Sequence, residues 1–191
     1  IGLRLSKDET IVRMPFEVRH MGSKYPIFSF DFTGAKRGVL PASYDYLRLE
    51  GRMQYRLNLP PIGYSQLMLE GGKIFGKVPY LLLKLHEGNG TYFYDRYAFS
   101  CMNFYEFSSD AWISFFYEHH FNGFLLGRVP LLKKLNWREV FVFKGVYGTL
   151  SARNDGSLPN TKAVMLFPVG MSSVEHPYPV SYTHLRAHET K

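Results

Sequence analysis

Residues 45–57 read DYLRLEGRMQYRL, and this stretch decides the fold. In an extended chain Leu47, Leu49, Gly51, Met53, Tyr55 and Leu57 fall on one face, and Arg48, Glu50, Arg52, Gln54 and Arg56 on the other. Sustained period-two alternation is the mark of a β-strand with one apolar and one polar side. The run exceeds the common globular strand of about 5–6 residues. It reaches the roughly 9–11 residues that cross a membrane at a tilt. Gly51 on the apolar side marks a bend or a close approach.

A second block, residues 86–121, reads HEGNGTYFYDRYAFSCMNFYEFSSDAWISFFYEHHF. Aromatic rings recur with charges between them. Wholly buried, Asp95, Arg96, Glu106, Asp110 and Glu118 would all need partners; on an ordinary wet surface, too many rings would face water. A two-faced sheet resolves the conflict. Similar alternation predicts strands around Val12–Val18 (with Pro15 demanding an edge or bulge), Phe28–Thr33, Tyr64–Phe75, Ala111–Phe121 and Trp137–Gly148. Asn58–Gly63, with Pro60-Pro61, and Ser108-Ser109-Asp110 read as turns. The expected class is all-β, with strands of one antiparallel sheet.

Composition narrows the class further. The chain has 191 residues, 46% apolar and 17% aromatic, so it is not disordered. Its net charge of +7 is spread along the strands with no long Lys/Arg cluster, which argues against nucleic acid as a partner. The single cysteine, Cys101, excludes an internal disulfide and reads as a packing residue. No run of 18 apolar residues is present, but transmembrane β-strands escape that test. The chain starts mid-pattern at Ile1 without a leader, which leads us to expect an internal fragment.

Residues 76–82, GKVPYLL, resemble 127–132, GRVPLL, and Lys then Leu follow each. Each copy predicts a short helical turn in a loop, lying at an interface with its apolar side down. Residues 180–191, VSYTHLRAHETK, look like translated adapter sequence, so the expected barrel unit is 1–179, truncated at both ends. His184 and His188 in that tail carry no metal reading.

The stretches GGKIFGKVPYLLLKLHEGNGTYFYDRYAF (71–99), MNFYEF (102–107), EHHFNGF (118–124) and RVPLLKKLNWREV (128–140) resemble the C-terminal barrel region of a Gram-negative envelope family of unassigned function. Full-length members of that family resemble a carboxypeptidase-regulatory-like β-sandwich followed by an outer-membrane barrel. The barrel is distantly similar to the surface-antigen superfamily of protein-assembly and two-partner-secretion translocators. The resemblance implies a fragment of an antiparallel transmembrane β-barrel in the bacterial outer membrane. It implies outer-membrane lipid or lipopolysaccharide around it, the barrel-assembly machinery during biogenesis, and a possible protein client. In the translocators a loop folds back into the barrel and carries an Arg-Gly-aromatic motif. Residues 102–106 occupy that place here, without the Arg-Gly pair. The comparison puts 76–107 outside the cell or in the lumen, and the two Val-Pro-Leu-Leu loops on opposite rims.

The candidate functional residues form a polar network at the lumen or rim: Arg48, Arg52, Arg56, Asp95, Arg96, Glu106, Glu118 and His120. Asp95, Arg96 and Glu106 are expected to pair with the three arginines. Glu118 and His120 share a strand face and His119 takes the other. Two ligands fall short of a zinc site, so no catalytic, cofactor-binding or metal-binding residue is assigned. Trp112 and Trp137 fit an aromatic girdle. The leading expectation is a non-catalytic barrel piece serving envelope assembly, translocation or surface display, with Leu47, Leu49, Phe115 and Phe141 on its convex side. The alternative is a soluble all-β ligand- or protein-binding module. An envelope hydrolase or metalloenzyme would need His86, Glu118 and His120 to converge.

Overall fold

A computed structural model describes residues 1–38, 44–89, 95–99, 102–103, 106–128, 130, 137–154, 172–173 and 178–186. The strands are β1 (Gly2–Leu5), β2 (Glu9–Arg13), β3 (Val18–Ser23), β4 (Ile27–Ala35), β5 (Tyr46–Leu59), β6 (Gly63–Gly76), β7 (Lys84–Leu85), β8 (Phe107–Ser109), β9 (Ala111–His120), β10 (Arg138–Thr149), β11 (Ser172–Ser173) and β12 (Tyr178–Arg186). Seven of them form one sheet in the order β1-β4-β5-β6-β9-β10-β12, every neighbour antiparallel. A hairpin, β2-β3, and a three-stranded sheet, β11-β8-β7, complete the fold. The chain is all-β and antiparallel in its main sheet, as the alternation predicts.

Register sorts the side chains. Met53 pairs with Phe28 and Leu69, Leu69 with Phe115, and Phe115 with Gly145. Leu47, Leu49, Phe115 and Phe141 therefore share one face, together with Phe30, Tyr55, Leu67, Tyr117 and Phe143. Nothing among the described residues covers it: Leu3, Leu5, Phe28, Phe30, Phe32, Leu47, Phe75, Ile113 and Tyr147 are all 37–51% exposed. Gly51 lies beneath the Phe30 ring, 3.6 Å from where a Cβ would stand. This is the close approach that its place in the alternation suggests.

The opposite, polar face is the covered one. The segment between β6 and β9 folds back over it. Phe99 and Met102 pack with Met68, Phe116 and Val146, while Val78 and Leu83 pack with Ile74 and Trp112. The first Val-Pro copy forms a 3-10 turn, Tyr80–Leu82, as expected. Its flanking Val78 and Leu83 are buried against the sheet, with Leu81 facing outward. Most of the second copy lies outside the described residues. The strand order puts the two copies at opposite ends of the sheet.

Three expectations are corrected. Residues 12–18 are not one strand, because Met14 N–H bonds Glu17 O at 2.8 Å and reverses the chain around Pro15, which has no N–H for a ladder. Ser108-Ser109-Asp110 is not a tight turn. Asp110 is a bend between β8 and β9, bonded to Ile74 and Thr149. The described part of 97–107 forms no long strand of the main sheet and belongs to the folded-back segment, as the comparison with a folded-back loop suggests. Trp112 lies on the covered face at 5% exposure, so it joins no outer girdle. The expected tail enters the sheet, with 180–186 inside β12; Cys101 lies outside the described residues.

Gly72 is a tight point within the main sheet, between β5 and the Trp112 ring of β9. A Cβ there would stand 2.7 Å from Leu49 O and 2.6 Å from the Trp112 ring. A main-chain oxygen cannot step aside, so Gly72→Ala should cost about 1–3 kcal/mol. Gly145→Ala meets nothing within 4 Å and should stay within about 0.5 kcal/mol of wild type. Denaturant midpoints of the two variants check this; equal shifts would refute the packing.

Candidate functional site

The polar face and the segment folded onto it form one charged contact zone. Its first network runs across three strands of the main sheet. The Arg56 guanidinium lies 4.3 Å from the Tyr64 ring centroid. Tyr64 stacks on His120, with centroids 4.4 Å apart and planes 13° from parallel, because the register sets the two directly opposite. His120 Nε2 meets Glu118 Oε1 at 2.7 Å, the two sharing a face two residues apart. Glu118 Oε2 takes Arg96 Nε of the folded-back segment at 2.8 Å. Arg56, Arg96, Glu118 and His120, all expected in the network, are thus joined through Tyr64.

A second network centres on Glu70. Its Oε2 accepts from Arg52 Nη2 at 2.7 Å and Nε at 3.1 Å, and its Oε1 accepts from Lys84 Nζ at 2.7 Å. Arg52 belongs to the main sheet and Lys84 to the segment, so the carboxylate joins the two. Arg48 pairs along its own strand with Glu50 at 2.6 Å and lies 5.4 Å from the Trp112 ring.

The firmest attachment is Lys144. It is 1% exposed, and its ammonium donates to Asp95 O at 2.8 Å and Ala98 O at 2.7 Å. A buried ammonium persists only where acceptors replace water, and here the segment's own main chain provides them. Next to these carbonyls Phe99 fills the hydrophobic cluster, 5.2 Å from the Phe116 ring. At the segment's root, Asp110 accepts from Ser151 N at 3.0 Å and Asn154 Nδ2 at 3.3 Å, and Asn154 accepts from Val78 N at 3.1 Å. His86 Nε2 meets Ser109 Oγ at 2.9 Å. Burial, helped by the Lys84 charge, pushes the His86 imidazole down to about 4.

Two expected pairings do not form. Asp95 Oδ1 accepts from Tyr97 N at 2.9 Å and Glu106 Oε2 from Asn103 N at 2.8 Å. Both carboxylates satisfy loop N–H groups close in sequence instead of meeting Arg48, Arg52 or Arg56. His86, Glu118 and His120 do not converge. Gly148, beside His86, stands six residues along β10 from Val142, which is opposite Glu118, a separation of about 20 Å at ~3.4 Å per residue. No group of three His, Cys, Asp or Glu side chains suited to a metal is found among the described residues. His119 faces the other way, as its position requires, with Nδ1 2.7 Å from Ser65 Oγ.

Glu70, Lys84 and Lys144 were not expected in the site. Each carries a sequence signal: a lone charge inside an apolar run, as in LMLEGG, YLLLKL and VFVFKGV. Residues 102–106 contain no arginine, and the segment's Arg96 meets Glu118 of the sheet.

Residues 3–152 match the family model described as the C-terminal domain of a Family of unknown function (DUF5686), and the chain belongs to that family. No curated protein and no solved structure matches it.

Lys144→Met keeps the side-chain length and leaves two buried carbonyls unpaired, at a cost of about 1–3 kcal/mol each. The amides of Phe99 and Met102, which bond Glu87 O and Phe99 O, should then exchange with solvent at least about tenfold faster; unchanged exchange would show that Lys144 does not hold the segment. His86 adds a pH dependence. Its folded value of about 4 lies below the ordinary 6.5, so the unfolded chain binds the proton first as pH falls. Its contribution is present above pH 6.5 and is lost on acidification towards pH 4, by about 3 kcal/mol in all. Unfolding curves between these pH values should be flatter for His86→Gln; parallel curves would contradict the assignment.

Proposed function

We propose that this member of the DUF5686 family is part of the wall of a β-barrel in the bacterial outer membrane, with its Leu/Phe face on lipid and its polar face on the lumen. Its role is non-catalytic, in envelope assembly, translocation or surface display. One observation carries the reading: among the described residues the apolar face runs across the sheet from β1 to β10 uncovered, while the polar face is packed by the folded-back segment. In a water-soluble protein the reverse is expected, since each large apolar side chain gains roughly 1.5–3 kcal/mol by burial.

Dimensions support it. β5 and β6 have 14 residues each, about 45 Å along the strand at ~3.3 Å per residue. At a tilt of about 45° that spans ~30 Å, the thickness of a hydrocarbon core. The ends of the sheet also differ. One carries the tight β5–β6 turn and the connection 121–137, and the other the connections 36–45, 77–110 and 150–177, so the two longest connections share one end, as longer external loops would. The similarity to a barrel preceded by a carboxypeptidase-regulatory-like domain, and to the surface-antigen superfamily, points the same way. It brings outer-membrane lipid, lipopolysaccharide and the barrel-assembly machinery as partners, and a protein client. A soluble binding module would need a protein layer over the Leu47–Leu57 face, and the described residues supply none.

Leu69 stands near mid-strand on the apolar face, and Thr33 on the polar one. In the full-length protein folded in a bilayer, Leu69→Arg should cost about 2–4 kcal/mol and Thr33→Arg less than about 1. The readout is the denaturant midpoint of folding into lipid vesicles, alongside recovery in the outer-membrane fraction. Recovery of the full-length protein as a soluble monomer, or equal costs at both positions, would falsify the proposal.

A further inference from the structure

Between the β2-β3 hairpin and the polar face lies a cavity of about 810 Å³, within the roughly 300–1,000 Å³ of small-ligand sites. We propose that it binds an acidic sugar. Arg56 takes the carboxylate or phosphate group, Gln54, Asn58 and Gln66 take the hydroxyls, and Tyr25 and Tyr97 flank the ring.

Arg56 carries the argument. Arg48, Arg52, Lys84, Arg96 and Lys144 each have an oxygen partner in the protein. Arg56 has no hydrogen bond or ion pair among the described residues. It is held by the Tyr64 face, and Tyr64 by His120. Arg56 is exposed, and its guanidinium rests on a ring while its N–H groups stay open; a guanidinium fork is suited to bidentate capture of a carboxylate or phosphate. The amides around it are open too. Gln66 and Asn58 make no side-chain hydrogen bond among the described residues, and Gln54 makes only a 3.7 Å contact to Met68 Sδ. A primary amide both donates and accepts, as a sugar hydroxyl does. Tyr25 and Tyr97 line the cavity while 44% and 41% exposed. The volume is far larger than a bare oxyanion needs. A peptide added as a strand would need a free edge, whereas β5, β6, β9 and β10 are paired on both sides.

The test is calorimetric titration of the folded full-length protein with glucuronate, glucose 6-phosphate, glucose and inorganic phosphate. At least one acidic sugar should bind about tenfold or more tightly than both glucose and phosphate. Arg56→Met should weaken it about ten- to a hundredfold. Arg56→Lys, which keeps the charge and loses the fork, should weaken it several-fold. Lys73→Met, which removes a cation on the opposite face, should leave it unchanged. Acidic sugars binding no tighter than glucose, phosphate binding as tightly as the phosphosugar, or an Arg56→Lys protein with native near-ultraviolet circular dichroism and undiminished affinity would each overturn the site.

Discussion

A buried ammonium ties this molecule together. Lys144 projects from the middle of β10 into the buried contact between sheet and segment, where two main-chain carbonyls of a remote loop accept from it. Desolvating a lysine is so costly that the sheet and the loop are energetically one object. With Asp95 and Ala98 fixed, Phe99 is carried into the Met68–Phe116–Val146 cluster, and Arg96 is delivered to Glu118. Glu118 then orients His120, His120 stacks on Tyr64, and Tyr64 supports Arg56. The chain of contact from Lys144 to Arg56 crosses four neighbouring strands, each held at its place by the antiparallel register.

The same register explains why the segment docks where it does. The polar face offers ions at Arg52–Glu70 and at Glu118, and apolar gaps between them over Met68 and Phe116. The opposite face offers rings and branched chains with few polar groups. A segment whose own residues include Lys84, Arg96 and Asp95 satisfies its charges only on the first. The second is left for an apolar surrounding. On the proposed reading that surrounding is lipid, and the dry face and the packed face follow from one pattern of alternate residues.

That pattern was legible in the sequence. Residues 45–57 assign both faces by parity alone, and Phe141, Phe143 and Lys144 carry the assignment to β10. Glu118, His119 and His120 divide between faces as period two demands. Parity failed where the backbone leaves the pleat. Pro15 breaks a run that alternates well on paper. Trp112 is opposite in parity to Ile113, Phe115 and Tyr117, so period two puts it inside; only its place near a strand start suggested a girdle. The ion pairs were legible only as a set. Which carboxylate meets which arginine depends on how residues 77–110 fold back, and no spacing along the chain encodes that. Asp95 and Glu106 show the cost of ignoring local competition: a loop carboxylate close to its own N–H groups is taken by them first.

Segment and sheet are tied by two contacts of opposite sense: at Arg96 the segment donates to Glu118 of the sheet, and at Lys144 the sheet donates to carbonyls of the segment. The two attachments respond differently to solvent. Arg96 is 41% exposed in its side chain, so its pairing is screened by salt and worth little by itself. Lys144 is enclosed, and its bonds are insensitive to ionic strength. Opening of the segment should accordingly begin at Arg96 and be limited by Lys144, which orders the two steps.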